Sequence, residues 1–360
     1  MTTIAREGSP TNVVGGVDTH QDTHTAAVLD TTGRPLGERQ FPTTAAGYRQ
    51  LLAWLRGFGT LLVVGVEGTG VYGAGLARYL AGQGVVMVEV DRPDRKARRF
   101  AGKSDPLDAQ AAARTALAGI RTGTPKQRTG QVEALRNLRV ARRSAVEQRA
   151  DCMRRIKALV VTAPEAVRAR LRGLRDAQLL ATCAALRPDL AGIEDPEQAV
   201  KVALRHLARR HRALVDEIAE LDTLITTLIA RINPSLLELN GVGADVAGQL
   251  LVTAGQNTER LRSEAAFAML CGVAPIPASS GKTHRHRLNR GGDRQANAAL
   301  YRIVLCRMRW DSRTRAYVTR RTAEGLSKKD IIRCLKRLIA REIYYALRTR
   351  PRPTELDLAA

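Results

Sequence analysis

The sequence predicts an α/β domain followed by two mainly helical regions, and three observations carry that prediction. Short apolar runs separated by turn residues fill the first third, interrupted by stretches of helical period. An unbroken alternation of four- and three-residue apolar spacings occupies the middle. The positive charge, a formal +23 from 58 Lys and Arg against 35 Asp and Glu, lies almost wholly beyond residue 120. At about 150 residues per domain, a chain of 360 residues suggests two or three domains, drawn here at 1–120, 121–233 and 234–360. A hydrophobic content of 44% excludes wholesale disorder. No run of 18 apolar residues exists, and the opening MTTIAREGSPTN lacks the apolar core of a signal peptide, so a cytoplasmic protein without a membrane span is expected.

In the first third, Val13–Val17, Thr23–Leu29 and Gly37–Phe41 read as strands joined by tight turns, an antiparallel meander. Tyr48, Leu51, Leu52 and Leu55 then recur at helical spacing. Leu61–Val66 is a fully apolar strand, Leu76–Leu80 lies in a helix, and Val85–Val90 is a buried strand. The Ala-rich stretch from Asp105 to Leu117 is helical. The order β-β-β-α-β-α-β-α is that of an RNase H-like fold, whose parallel half suits the two later apolar strands.

In the middle region, Val200, Leu204, Leu207, His211, Leu214, Ile218, Leu221, Ile225, Leu228 and Ile232 form the apolar seam, broken only by His211. That is a coiled-coil signal, and Val132–Val161 is an antiparallel partner whose own seam is interrupted by Arg142 and Arg149. A hairpin within one subunit and a dimer interface both satisfy the pattern. Asn233-Pro234 ends the long helix. Beyond it, the segment Leu236–Leu251 resembles a helix-hairpin-helix around Gly241 and Gly243, whose amides at a helix N-terminus can hold a DNA phosphate; a plain tight turn would read the same way. A Pro/Ser/Gly-rich loop follows at Ala274–Gly281, then a basic stretch to Arg294 and helices near Ala296–Trp310 and Lys328–Leu347.

The charge implies a polyanionic partner, with nucleic acid the default. Residues 1–120 carry 13 basic and 11 acidic side chains, so the first third is nearly neutral and retains carboxylates that a DNA-coating surface would avoid. Five scattered cysteines without a CxxC pair argue against disulfides and a Cys-based zinc site. Among the acids, Asp18 follows the first strand and Glu67 ends the fourth, strands that an RNase H-like sheet makes neighbours. Asp105 and Asp108 share one face at the start of a helix. Four carboxylates converging at that edge can hold two Mg²⁺ ions, the clamp used for in-line displacement at phosphate. Asp105-Pro106-Leu107-Asp108 also describes an ordinary helix start with Asp105 as N-cap. His20, Asp22 and His24, at strand spacing, are read as polar strand positions.

The blocks GVDTHQDTH, GVEGTGVYG and KSDPLDA resemble those of the DEDD transposases of insertion sequences, and LNGVG…LCGVAPIPASSGKTHRHRLNRGGDRQAN is similar to that family's C-terminal domain. The likeness covers essentially residues 13–347. It implies a RuvC-like catalytic domain, a coiled-coil region for oligomerisation and a serine-bearing C-terminal domain. It further implies a recombinase guided by a structured bridge RNA that pairs with donor and target DNA, and a homo-oligomer, either a dimer or a tetramer. Carried over, Asp18, Glu67, Asp105 and Asp108 bind Mg²⁺ and Ser280 is the nucleophile that forms a 5′-phosphoserine link, with Ser279 the alternative. His284 and His286 are near in sequence, yet no His-Asp set stands beside the serine, so the metal centre is the expected activator. Lys282, Arg285, Arg287, Arg290 and Arg294 would hold nucleic-acid backbone or stabilise phosphorane charge. The competing reading is a RuvC-like Mg²⁺-dependent nuclease that resolves branched DNA by hydrolysis. An aromatic content of 4% leaves few stacking platforms, as expected of a protein that delegates base reading to a guide RNA.

Overall fold

The computed structural model describes residues 11–90, 104–120, 122–283 and 285–348. His284, and Lys103 of the third acidic block, lie outside the described residues. The chain divides into two compact units, Met1–Gly130 with Ala254–Arg262, and Gln131–Thr253 with Ser263–Ala360. Among the described residues no helix is long and apolar enough to cross a membrane.

The first unit is built on a mixed sheet. Its strands are β1 (Asn12–Thr19), β2 (Thr23–Asp30), β3 (Pro35–Pro42), β4 (Thr60–Glu67), β5 (Met87–Val90) and the two-residue β6 (Thr122–Gly123), in the order β3-β2-β1-β4-β5-β6. The β1–β2 and β2–β3 pairs are antiparallel, whereas β1–β4 and β4–β5 are parallel. The order and directions of the first five strands agree with those expected of an RNase H-like domain. The fifth strand is shorter than the sequence suggested, because Val85 and Val86 precede the ladder and β5 begins at Met87.

Strand alternation sorts β1 into two faces. Val13 and Val17 join Leu51, Leu52 and Leu55 of helix α1 (Ala45–Arg56) and Leu76 and Leu80 of α2 (Ala74–Gly82) in one core. Val14 faces the other way, with Leu29, Ala113 and Ala116. Those two alanines belong to α3 (Asp105–Ala118), whose Ala109, Ala112, Ala113 and Ala116 make a small-residue face at helical spacing. The strands beneath are equally bare. A Cβ on Gly16 would sit 2.1 Å from the Ala109 carbonyl oxygen, and one on Gly65 of β4 would sit 2.5 Å from that of Ala112. Only glycine permits this approach, which lays the backbone of α3 directly on β1 and β4. Residues 254–262 return to this unit through Asn257, whose side chain accepts from the Gln127 amide at 3.0 Å and donates to the Pro125 carbonyl at 3.0 Å.

The second unit is helical. Helices α4 (Gly130–Thr162) and α7 (Pro196–Ile232) run antiparallel, with Ala145 and Cys152 against Leu214 and Ile218. Further along, Ile156 and Val160 share a core with Leu204, Ala208, α5 (Glu165–Leu171) and α6 (Asp176–Ala184). The polar interruptions of the predicted seams meet ionisable groups across the pair. Arg142 pairs with Asp222, and His211 lies close enough to Arg149 for the guanidinium to join burial in lowering the imidazole pKa. The short α8 (Ser235–Glu238) and α9 (Ala244–Ala254) flank the Gly241–Gly243 turn. Helices α10 (Glu264–Leu270), α11 (Arg294–Trp310), α12 (Ser312–Ala323) and α13 (Lys328–Arg348) follow, with a small hairpin of β7 (Ile276–Pro277) and β8 (His286–Arg287) between α10 and α11.

The close approach of α3 makes a direct prediction. Gly16→Ala should destabilise the protein by about 1–3 kcal/mol or more, as overpacking does, whereas Gly82→Ala, which meets nothing within 4 Å, should be neutral or stabilising by about 0.4–1 kcal/mol. Urea denaturation of the two variants measures the contrast.

Candidate active site

The parallel pair β1–β4 places Val17 opposite Val66, so the next residues, Asp18 and Glu67, lie side by side at the C-terminal edge of the sheet. By strand alternation Asp18 shares the face of Gly16, and Glu67 that of Gly65, both beneath α3. The Thr19 hydroxyl donates to the Glu67 carbonyl at 2.9 Å and ties the two strand ends together. Gly68, at φ +70°, then turns the chain away.

Helix α3 begins over this edge. Ser104 is its N-cap and Pro106 stands in the first turn. Asp105 is therefore the first helical residue and does not cap, contrary to the ordinary helix-start reading. Asp105 and Asp108 both occupy the first turn, where negative charge suits the helix dipole.

The sequence reading missed His20. With Asp22 it lies in the β1–β2 turn and not at a strand position, because β1 ends at Thr19 and the His20 amide donates to the Thr23 carbonyl at 3.1 Å. That turn aims the ring back at the acids: Nε2 lies 3.1 Å from Asp18 Oδ2 and 3.3 Å from Asp105 Oδ1. The ligand atoms of Asp18, His20 and Asp105 all lie within 4.8 Å of one another. His24 does occupy a strand position, but it is fully buried on the opposite face, stacked on Tyr48 at 5.7 Å, and burial lowers its pKa. A ring so placed is a core histidine.

Asp18 is buried, and its pKa is raised, chiefly by that burial and further by the charges of Asp108 and Asp105, with His20 opposing. The structure thus brings Asp18, Asp105 and His20 into one group, with Asp108 close enough to be felt. Glu67 stands beside Asp18 by register, and neither it nor Asp108 belongs to the 4.8 Å group among the described residues. Crowded carboxylates with a buried member suit a hard divalent cation, which relieves their repulsion.

In the second unit, Ser280 lies at the tip of the β7–β8 hairpin. It pairs with Thr283 across Gly281-Lys282, with Gly281 at φ +53°. The two adjacent serines differ. Ser279 Oγ accepts from the Arg285 amide at 3.3 Å, whereas the Ser280 hydroxyl has no hydrogen-bond partner among the described residues and is exposed. Lys282, Arg285, Arg287, Arg290 and Arg294 are all exposed, and none pairs with a carboxylate among the described residues. The Gly241–Gly243 turn is different. Gly241, at φ +77°, packs against Ile303 and Cys306, and Asp245 in the first turn of α9 already collects Arg139, Arg142 and Arg302.

Comparison with known proteins gives two family matches. A DEDD transposase family model of the IS110 type matches residues 15–163, and one described as "Transposase IS116/IS110/IS902 family" matches residues 233–319. The chain is 32% identical over 127 residues to an insertion element IS110 protein of 43.6 kDa from Streptomyces coelicolor, covering 34% of this chain and 31% of that protein. It is 26% identical over 144 residues to an insertion element IS900 protein of 42 kDa from Mycobacterium paratuberculosis, covering 39% and 36%. The chain spans about a third of the length of the curated relatives it matches.

The electrostatics of Asp18 predict a stability signature. Its folded carboxyl titrates above the ordinary 3.8, so without metal the fold loses stability as pH rises through that folded pKa. Asp18→Asn should therefore raise the thermal midpoint at neutral pH in chelator and abolish any further rise on adding Mn²⁺ or Mg²⁺. A lowered midpoint in chelator would contradict the assignment.

Proposed function

The chain belongs to the IS116/IS110/IS902 family of transposases, and from that premise we propose that it cuts and rejoins DNA strands of an insertion sequence through a phosphoserine intermediate. Asp18, Glu67, Asp105 and Asp108 would hold Mg²⁺, as two ions, with the His20 ring beside Asp18 and Asp105. The bound metal supplies charge neutralisation at the phosphate and lowers the pKa of a coordinated hydroxyl. The observation that carries this reading is the convergence of Asp18, Asp105 and His20 within 4.8 Å at the edge where Glu67 also ends its strand.

Ser280 Oγ attacks phosphorus and loses its proton to the acidic centre of another subunit. The bond from phosphorus to the 3′ oxygen breaks, and that oxygen takes a proton to leave as a free 3′-hydroxyl. The 5′-phosphate remains on the serine. A 3′-hydroxyl from a different strand then attacks the phosphoserine and releases Ser280, so rejoining needs no external energy source. The free hydroxyl of Ser280, beside a Ser279 committed to the hairpin backbone, supports this choice of nucleophile.

The five unpaired cations around the hairpin hold backbone phosphates of donor and target DNA, and the Gly241 and Gly243 amides are a second, separate backbone contact. Backbone contacts without a dedicated base reader suit guidance by a bridge RNA. Homo-oligomerisation, with α4 and α7 forming the coiled-coil arm, brings one subunit's hairpin to another's acids.

Incubation with a labelled DNA substrate and Mg²⁺, followed by denaturing electrophoresis, tests the proposal. Wild type should give a covalent protein–DNA adduct, Ser280→Ala none, and Ser279→Ala a reduced but measurable amount. Ribonuclease treatment of the copurifying RNA should remove the wild-type adduct. Cleavage without an attached protein in Ser280→Ala would establish hydrolysis instead, and adducts that survive ribonuclease would exclude guidance.

A further inference from the structure

Within the second unit, a cleft of about 450 Å³ opens between the stem of the serine hairpin and α13. Its floor and mouth are apolar, from Val273, Leu288, Tyr317 and Leu338, with half of Leu288 and of Leu338 exposed to water. Cations stand around it, and they divide into two kinds. Arg333 is held by Asp330 at 2.6 Å and Arg337 by Glu264 at 3.1 Å. Lys336 and Arg287 have no carboxylate partner among the described residues. The Lys336 ammonium donates only to the neutral amide oxygen of Asn297, at 2.9 Å. Burial and the neighbouring Arg333 lower its pKa, the condition of a cation short of negative charge.

An apolar floor beside two uncompensated cations fits a planar, apolar-faced ligand that carries an anion. A nucleotide has that chemistry. Its base would cover Leu288, Leu338 and the Tyr317 ring, and its phosphate would take Lys336 Nζ and Arg287. The volume is in the range of small-ligand sites and suits one nucleotide, not a duplex. The position fits as well. Pro277 pairs with His286 at the cleft, and Ser280 lies three residues further along the same hairpin, about 10 Å away at about 3.3 Å per residue.

We propose that this cleft holds one unstacked nucleotide of the DNA strand being cut, next to the phosphate that Ser280 receives. The proposal rests on the strand-exchange reading and adds a binding subsite to it. Extruding that nucleotide from its neighbours costs a few kcal/mol of stacking, which the apolar floor and the two cations offset. The subsite fixes the strand before the serine attacks, so that the scissile phosphate meets the hydroxyl in one register.

Photocrosslinking tests this directly. Full-length protein is irradiated with a single-stranded DNA oligonucleotide carrying 5-iodouracil, and the crosslinked peptide is identified by mass spectrometry. Tyr317 is the expected site. Leu338→Trp, which fills the cleft from a half-exposed position, should lower the yield about fivefold or more, and Lys336→Gln should weaken oligonucleotide binding by a similar factor. Crosslinks confined to residues outside the cleft, or a Tyr317 yield indifferent to both variants, would overturn the proposal. So would crosslinking by an RNA oligonucleotide of the same sequence when the DNA gives none. Ser280→Ala should crosslink as wild type does, because binding precedes chemistry. Loss of adducts with retained crosslinking would therefore count against the phosphoserine reading alone.

Discussion

The absence of side chains at Gly16 and Gly65 is the constraint on which the rest of the first unit depends. Because no Cβ intervenes, the Ala-rich face of α3 rests against the backbones of β1 and β4. The first turn of α3 is then carried to the end of those strands, and Asp105 arrives over Asp18. A larger residue at either glycine would lift the helix and take the acids apart. The same approach buries Asp18 and crowds it with like charge, so its ionised form is costly until a cation compensates. The packing and the electrostatics of the acidic group thus have one cause.

The two units carry opposite chemistry. The first presents acids at a strand edge, and the second presents a hydroxyl and a set of unpaired cations on a hairpin. A serine hydroxyl is a weak nucleophile without activation, and a carboxylate centre repels DNA without metal. Some basic residues of the second unit are paired within it: Arg139, Arg142 and Arg302 converge on Asp245 and Asp222, and Arg307 is held by Glu342. Net charge alone therefore overstates the number of cations free of a carboxylate partner.

The acids at the strand ends were legible because β1 and the second half of β4 are buried on both faces and read as apolar runs with a carboxylate at or next to their ends. The helix start at Asp105 was legible from Pro106 and the Ala-rich stretch. What escaped depends on tertiary approach. His20 reaches Asp105 across 85 residues only because α3 lies so close, and strand spacing with Asp22 and His24 concealed the turn that aims it. The difference between the Ser279 and Ser280 hydroxyls needs the hairpin register, which commits the first to Arg285. Arg142 looked like a defect in a seam, whereas its partner Asp222 lies on another helix. The return of residues 254–262 to the first unit hinges on Asn257, whose partners at Pro125 and Gln127 are about 130 positions away.

The central claim is that the Asp18–Asp105 group is a cation site and not a surface accident. Diffraction from crystals soaked in Mn²⁺, with data at the manganese absorption edge, tests it most directly. The account predicts an anomalous peak within coordination distance of Asp18 and Asp105 carboxylate oxygens, lost in Asp18→Asn crystals. Peaks elsewhere on the protein with none at this group would contradict it.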